Sequence, residues 1–377
     1  MNELKILLGY NYFPHPVDVK SRVEAWLSRL RREGFDVWGF PLSIKPPSSA
    51  LPWQQIDSLW KRGDVELLRL YEDLAREIEG YDVFLNCNGV NLHPEFVQQL
   101  PSYNIYACFD DPESSEWLSR PVAASYDIVF VGNIACLDMY RDWGVNEVHW
   151  WPIGFHPNDF DPSLTKEKIL SGERDVDISL LCERTSSWRN SKLEVFTSAF
   201  PSGEYYGKGW PRGFLPESKR IDLFQRTKIG PNFHNSTGPV NSRTYVLPAN
   251  GVMQICDNKN YLSEIYELGK EVVGFSTIEE AIDLCRYYMA HDRERREIAA
   301  AGWEKAHENY NEVAVFNMMV KRVHEHMLRT KKLEKSTIEV VSAIDRQRKK
   351  TIWRKYIHRI ITGLKEFFKN ENRLYHP

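Results

Sequence analysis

A chain of 377 residues exceeds what one ordinary core organises, so two domains are expected, and at 42% hydrophobic and 27% charged residues it can fill both. A net charge of −3 excludes a generally basic nucleic-acid binder, and no nucleic-acid partner is expected. The charge is uneven: from Lys331 onward 13 Lys and Arg stand against 5 Asp and Glu, a balance of +8 on a body of −11.

In chain order, Leu4–Gly9 reads as a buried strand, followed by a loop holding His15. A helix over Val19–Glu33 ends at Gly34. Val37–Phe40 is the next strand; a polar, Pro-rich loop and a helix near Val65–Ile78 follow. Short apolar runs at Tyr81–Asn86, Asn104–Phe109, Ile128–Val131 and Glu147–Trp150 complete a strand–helix alternation, which implies a parallel sheet covered on both faces. The Pro/Asp-rich segment Pro152–Pro162 reads as a linker, after which the pattern restarts. Strands are expected at Val176–Cys182, Glu204–Tyr206, Thr227–Ile229, Val252–Cys256 and Glu271–Phe275. The resulting division is an N-terminal Rossmann-like domain (1–155), a C-terminal one (156–330) and a basic amphipathic helical tail (331–377).

The six cysteines are scattered, without a CxxC pair, as buried thiols of a reducing compartment are. With no N-terminal apolar signal region and no 18-residue apolar run, a cytoplasmic protein is expected, peripheral at the inner membrane face if the tail meets lipid. In that tail Trp353, Ile357, Ile360, Ile361 and Leu364 recur at helical spacing, while Arg354, Lys355, Arg359 and Lys365 fall between them. That pattern suits an anionic membrane surface, or a terminal helix docked on a domain.

The segment Lys228–Tyr310 bears most on function. Strand, polar loop, a helix opened by Asn241, Ser242 and Arg243, strand, and a helix carrying Glu264 succeed one another. Helix N-termini and an arginine at the carboxyl ends of parallel strands are how a nucleotide diphosphate is held.

Several motifs carry a resemblance to a known family: Phe109-Asp110-Asp111-Pro112, Val148–Pro157 (VHWWPIGFHP), Tyr206-Gly207-Lys208-Gly209-Trp210, Lys228–His234 (KIGPNFH) and Glu264–Glu271 (EIYELGKE). In this order they resemble the spore-maturation glycosyltransferase-like (CgeB-type) family within the group-1 glycosyltransferases of GT-B architecture. The resemblance implies an α/β fold of two doubly wound Rossmann-like domains facing a cleft. It also implies a glycosyltransferase that moves a sugar from a nucleotide-diphosphate-sugar donor to a glycan or glycoconjugate acceptor, without a metal or other cofactor. One position departs: where relatives carry a ribose-binding glutamate the chain has Val246, followed by Pro248.

On this reading Arg243, Ser242, Asn241, Lys208, Arg184, Arg189, Asn232, His234 and Glu264 are candidates for the donor, with the arginines on phosphate oxygens. Asp110, Asp111 or His15 would act as general base in an inverting reaction, although the acidic pair equally suits a helix cap. Trp117, Trp150 and Trp151 are acceptor-side candidates. Two Asp-x-Asp matches, at Asp159–Asp161 and Asp175–Asp177, fall in the linker and before a strand, and read as structural. Val246 motivates one alternative, a non-catalytic glycosyltransferase-like binding protein of a surface or coat assembly; a sugar-nucleotide epimerase on the same fold is another.

Overall fold

A computed structural model describes residues 4–11, 19–44, 51–88, 91–184, 187–330 and 344–350, and positions 353, 357, 361 and 362. The N-terminal part runs β1 (Lys5–Tyr10), α1 (Val19–Arg32), β2 (Asp36–Pro41), α2 (Trp53–Lys61), α3 (Val65–Glu77) and β3 (Val83–Cys87). It continues with α4 (Pro94–Val97), β4 (Tyr103–Cys108), β5 (Ile128–Val131), α5 (Leu137–Asp142) and β6 (Val148–Trp150). The described strands form a parallel sheet in the order β2-β1-β3-β4-β5-β6.

The second part begins with α6 (Lys166–Ser171), β7 (Val176–Leu181), α7 (Ser187–Ala199), β8 (Glu204–Tyr206), α8 (Glu217–Arg226) and β9 (Thr227–Asn232). After these come α9 (Arg243–Ala249), β10 (Met253–Cys256), α10 (Lys259–Leu262), β11 (Val273–Gly274), α11 (Ile278–Ala290), α12 (Asp292–Asn309) and α13 (Glu312–Arg329). Its sheet is parallel too, ordered β11-β10-β9-β7-β8. Each sheet therefore changes direction once, between β1 and β3 and between β7 and β9. Crevices for ligands open beyond the carboxyl ends of strands at such points. This is the α/β architecture expected from the sequence, two doubly wound Rossmann-like domains.

The stretch read as a polar loop contains α2. Trp53, Ile56 and Trp60 recur at helical spacing behind Pro52, and Ile56 and Trp60 are buried in the N-terminal core. Asp64 then caps α3 by accepting from the amides of Glu66 and Leu67. β9 runs past the expected Ile229 to Asn232, through Gly230 and Pro231. Proline is tolerated there because the β7 pairing stops at Ile229 while β10 continues alongside.

Two crossings join the domains. The linker after β6 meets the start of α13, where Phe155 bridges Asn311 and donates its amide to the Tyr310 carbonyl at 3.0 Å. Gly154 has φ +66°, and a Cβ there would sit 2.5 Å from that same carbonyl, so only glycine fits. α13 lies on the N-terminal domain: Trp151 donates its indole N–H to the Val315 carbonyl, and Arg29 pairs with Glu312. Of the tail, residues 344–350 are helical and dock beside α2 and α3, with Ile344 buried and Gln347 donating to the Trp60 carbonyl. No helix among the described residues is long and apolar enough to cross a membrane.

Candidate functional site

The centre of the site is a hub at the end of β9. Asn232 is fully buried with all of its amide satisfied: Nδ2 donates to Thr244 Oγ1 and Gln254 Oε1, and Oδ1 accepts from Asn241 and Arg243. Arg243, the first residue of α9, is thereby held across the switch point of the C-terminal sheet. Its Nε donates to Asn232 Oδ1 at 3.1 Å, Nη1 to the Leu181 carbonyl ending β7 at 3.0 Å, and Nη2 to the Phe233 carbonyl past β9 at 3.2 Å. All three acceptors are neutral. Burial lowers the guanidinium pKa, and the positive charge of buried Arg189 adds to this. A partly desolvated cation with neutral hydrogen-bond partners and a second cation beside it attracts an anion.

Beyond this pair a cavity of about 470 Å³ opens between the domains. Its C-terminal wall is Glu183, Arg189, the His234–Ser236 segment, Val240, Asn241 and Arg243. The N-terminal wall is Phe109, Asp110, Glu113 and Ser114, at the end of β4. The two walls touch through Ser236, which donates to Glu113 and accepts from Asn133 Nδ2 at 2.9 Å.

His234 lies at the cavity floor. Its Nδ1 is 2.5 Å from Asp257 Oδ1 and its Nε2 is 3.1 Å from Thr244 Oγ1. Burial holds the imidazole below its ordinary pKa despite the aspartate, which favours a neutral ring donating from Nδ1 and accepting at Nε2. His234, Cys256 and Asp257 offer ligand atoms within 4.8 Å of one another. The His234 ring is engaged at both nitrogens, and burial pushes the Cys256 thiol well up, which suits a hydrogen-bonded core better than a metal centre.

The structure thus brings Asp110, Arg189, His234, Asn241 and Arg243 to one cavity, with Asn232 behind it. Ser242 is exposed, and Asn241 rather than Ser242 accepts from the Thr244 amide to cap α9. Arg184 pairs with Glu194 at 2.6 Å and covers the Trp210 ring, so its charge is already met. Lys208 is exposed; the surrounding Gly-Lys-Gly-Trp packs the chain against β7. Gly207 sits where a Cβ would meet the Cys182 carbonyl at 2.3 Å, and Trp210 donates to the same carbonyl at 2.7 Å. Glu264 is exposed in the turn after α10, not in a helix as expected.

The acidic pair is divided by the backbone. Asp110 faces the cavity, accepts from Asn88 Nδ2 at 3.0 Å, and has its pKa raised by burial and then by Asp111 and Glu113. Asp111 turns into the N-terminal core and accepts from the Tyr140 hydroxyl. His15 lies outside the described residues. Trp151 is buried with its N–H on the Val315 carbonyl, Trp150 donates to the Gly132 carbonyl, and Trp117 is partly exposed. Val246 is buried in the apolar cluster that runs through the domain crossing.

Missed by sequence reasoning were Asp257 and Thr244, which hold His234, and Glu113, across the cavity. Asp257, directly following the strand at Cys256, was the available signal for the first of them.

Residues 188–319 match a family described as glycosyl transferase-like. No curated protein matches the chain. Among solved structures, sucrose-phosphate synthase from Thermosynechococcus elongatus is similar at TM-score 0.63 and 12% identity, over 87% of this chain and 100% of that one. A glycosyltransferase from Rickettsia africae gives 0.56 and 13%, over 88% and 100%. Anabaena HepE in complex with UDP-glucose gives 0.54 and 13%, over 86% and 100%. The fold is that of GT-B glycosyltransferases.

Proposed function

We propose that the protein is a glycosyltransferase that moves a sugar from a nucleotide-diphosphate-sugar donor to a hydroxyl of a glycan or glycoconjugate acceptor, in the interdomain cleft, without a metal. The five shared motifs make it a CgeB-type enzyme in this reading. The observation that carries it is Arg243: a partly buried guanidinium whose three hydrogen bonds go to neutral acceptors, next to Arg189, at the switch point of a nucleotide-type sheet. The UDP-glucose bound by HepE, on the same fold, makes a uridine nucleotide the first donor to test.

In the transfer, the acceptor oxygen bonds to the anomeric carbon as the bond from that carbon to the phosphate oxygen breaks. The departing diphosphate keeps the electron pair and meets the two arginines, where developing charge is stabilised most. In an inverting reaction the acceptor proton passes to Asp110, whose raised pKa suits a base, on the wall facing the arginines. In a retaining reaction the proton passes to the leaving phosphate and Asp110 only positions the acceptor.

Thermal-shift titration of the full chain with UDP, GDP, dTDP, CMP and their sugars, with and without EDTA, tests this. Saturation at about 100 times Kd adds roughly 2.7 kcal/mol of stability. An EDTA-insensitive shift with one nucleotide, lost in Arg243→Met, is expected. No shift with any of them sinks the donor reading and leaves the non-catalytic binding protein. Conversion of donor without acceptor would favour the epimerase.

Membrane-surface contact through the tail belongs to the same reading. Trp353, Ile357 and Ile361, spaced by four, are exposed in a stretch of strongly basic sequence anchored at Ile344 on the N-terminal domain. Sedimentation with anionic vesicles should be lost on changing all three to serine; unchanged sedimentation removes the membrane from the account.

A further inference from the structure

The cleft holds a second, larger cavity of about 1170 Å³, on the crossing side of Phe109, which lines both. Its walls come from α1, the linker, α8 and α13. The apolar part of the lining includes Trp26, Trp151, Ile153, Phe160, Ile221 and Phe316. Trp26 is fixed edge-to-face against Phe316 and His156, with centroids 6.0 and 6.2 Å away.

Charged groups line it as well, but they satisfy one another. Arg29 binds Glu312 bidentately at 2.7 and 3.0 Å, and His156 Nδ1 meets the same carboxylate at 2.9 Å. Asp159 is held by Arg220 at 2.5 Å, and Arg22 and Glu217 face each other at 3.9 Å near the exterior. A molecule entering the cavity therefore meets apolar side chains, charged groups already committed to partners, and one buried indole N–H, that of Trp26, with no hydrogen-bond partner among the described residues. A free sugar, which needs hydrogen bonds for each hydroxyl it desolvates, finds few there; an apolar group loses nothing and gains burial.

We propose that this cavity binds the uncharged apolar portion of an amphiphilic acceptor, an alkyl, isoprenoid or aryl group attached to the hydroxyl-bearing part. The inference rests on the glycosyltransferase reading: Phe109 is the shared wall across which the hydroxyl reaches the donor cavity. Substrate class is thus set by the larger cavity and donor class by the smaller.

The test is a fluorescence titration of the full chain with the neutral probe N-phenyl-1-naphthylamine, with competition by n-octyl β-glucoside below its micellar concentration and by glucose. Saturable binding displaced by octyl glucoside and not by glucose is expected. Ile221→Lys, which sets a charge on the α8 wall, should weaken the probe at least tenfold; Ile221→Ser, which adds no charge, should weaken it about threefold. The triple tail variant Trp353→Ser/Ile357→Ser/Ile361→Ser should bind the probe as wild type does. Unchanged affinity in both Ile221 variants, loss in the tail variant, or equal competition by glucose overturns the inference. The nucleotide shift, read in the same samples, should persist in Ile221→Lys. Its absence from wild type would sink the donor reading, whereas probe binding reports on the cavity alone.

Discussion

Asn232 Oδ1 accepts the Nε–H of Arg243 at 3.1 Å, and the same oxygen accepts Asn241 at 2.9 Å. An amide oxygen, rather than a carboxylate, thus orients the partly buried guanidinium, which has no direct ion pair among the described residues. Arg243→Met should cost about 2–4 kcal/mol in kcat/KM if the side chain meets the leaving diphosphate. Asn232→Ala removes no ligand contact but releases the arginine; it should weaken nucleotide binding about tenfold and lower stability by about 1–3 kcal/mol through the polar atoms it orphans. Equal, full loss in both variants would instead make the hub itself part of the ligand site.

Asp110 carries the acid–base prediction. Burial, with Asp111 and Glu113 nearby, raises its pKa from the ordinary aspartate value. An active base must be ionised, so kcat/KM should fall on acidification, with a midpoint higher than an exposed aspartate would give. Asp110→Asn should remove that limb and lower kcat by about 10²–10⁴, while the nucleotide-induced thermal shift stays as in wild type. Retained kcat assigns the residue to acceptor positioning.

The Glu312 clasp predicts a pH dependence of stability. Burial alone would raise its pKa, but hydrogen bonds from His156 and Arg29, with their charges, hold it below the ordinary glutamate value. A carboxyl with a lower pKa folded than unfolded stabilises above its unfolded value, near about 4.3, and that stability is lost as the pH falls through the folded value. Glu312→Gln should destabilise by about 2 kcal/mol at neutral pH and flatten the acid side of the melting-temperature profile. Parallel wild-type and variant profiles would remove the clasp from the account.

Arg174 is a structural counterpart to Arg243. Its Nη1 donates to the Phe224 and Thr227 carbonyls at the end of α8 and its Nη2 to the Asn250 carbonyl after α9, and burial lowers its pKa to about 10. Arg174→Met leaves three carbonyl oxygens short of a donor and should cost roughly 2–4 kcal/mol in chemical denaturation, without altering nucleotide specificity.

Local sequence determined the alternation of elements. Short, largely apolar runs such as Ile128–Val131 and Val176–Leu181, alternating with helical patterns, fit a covered parallel sheet, and the Pro/Asp-rich linker marks where the first sheet ends. Signals that depend on a short pattern next to a proline were weaker: α2 hides behind Pro52, and β9 continues through Gly230 and Pro231 because its other neighbour stops pairing.

Residue type by itself also pointed to Arg243, Arg189 and Asp110 as chemistry-bearing. Which charges remain available was decided only by tertiary structure. Arg184 is as cationic as Arg189 in sequence, yet it is met by Glu194 and Trp210 at the surface, while Arg189 is buried, donates to the Glu183 carbonyl and lines the cavity. Asp110 and Asp111 are neighbours in the chain, but in the bend after β4 their side chains part, one to the cleft and one to the Tyr140 hydroxyl. Composition specifies which groups exist; the long-range contacts of the folded chain set which of them are neutralised, and so which can act.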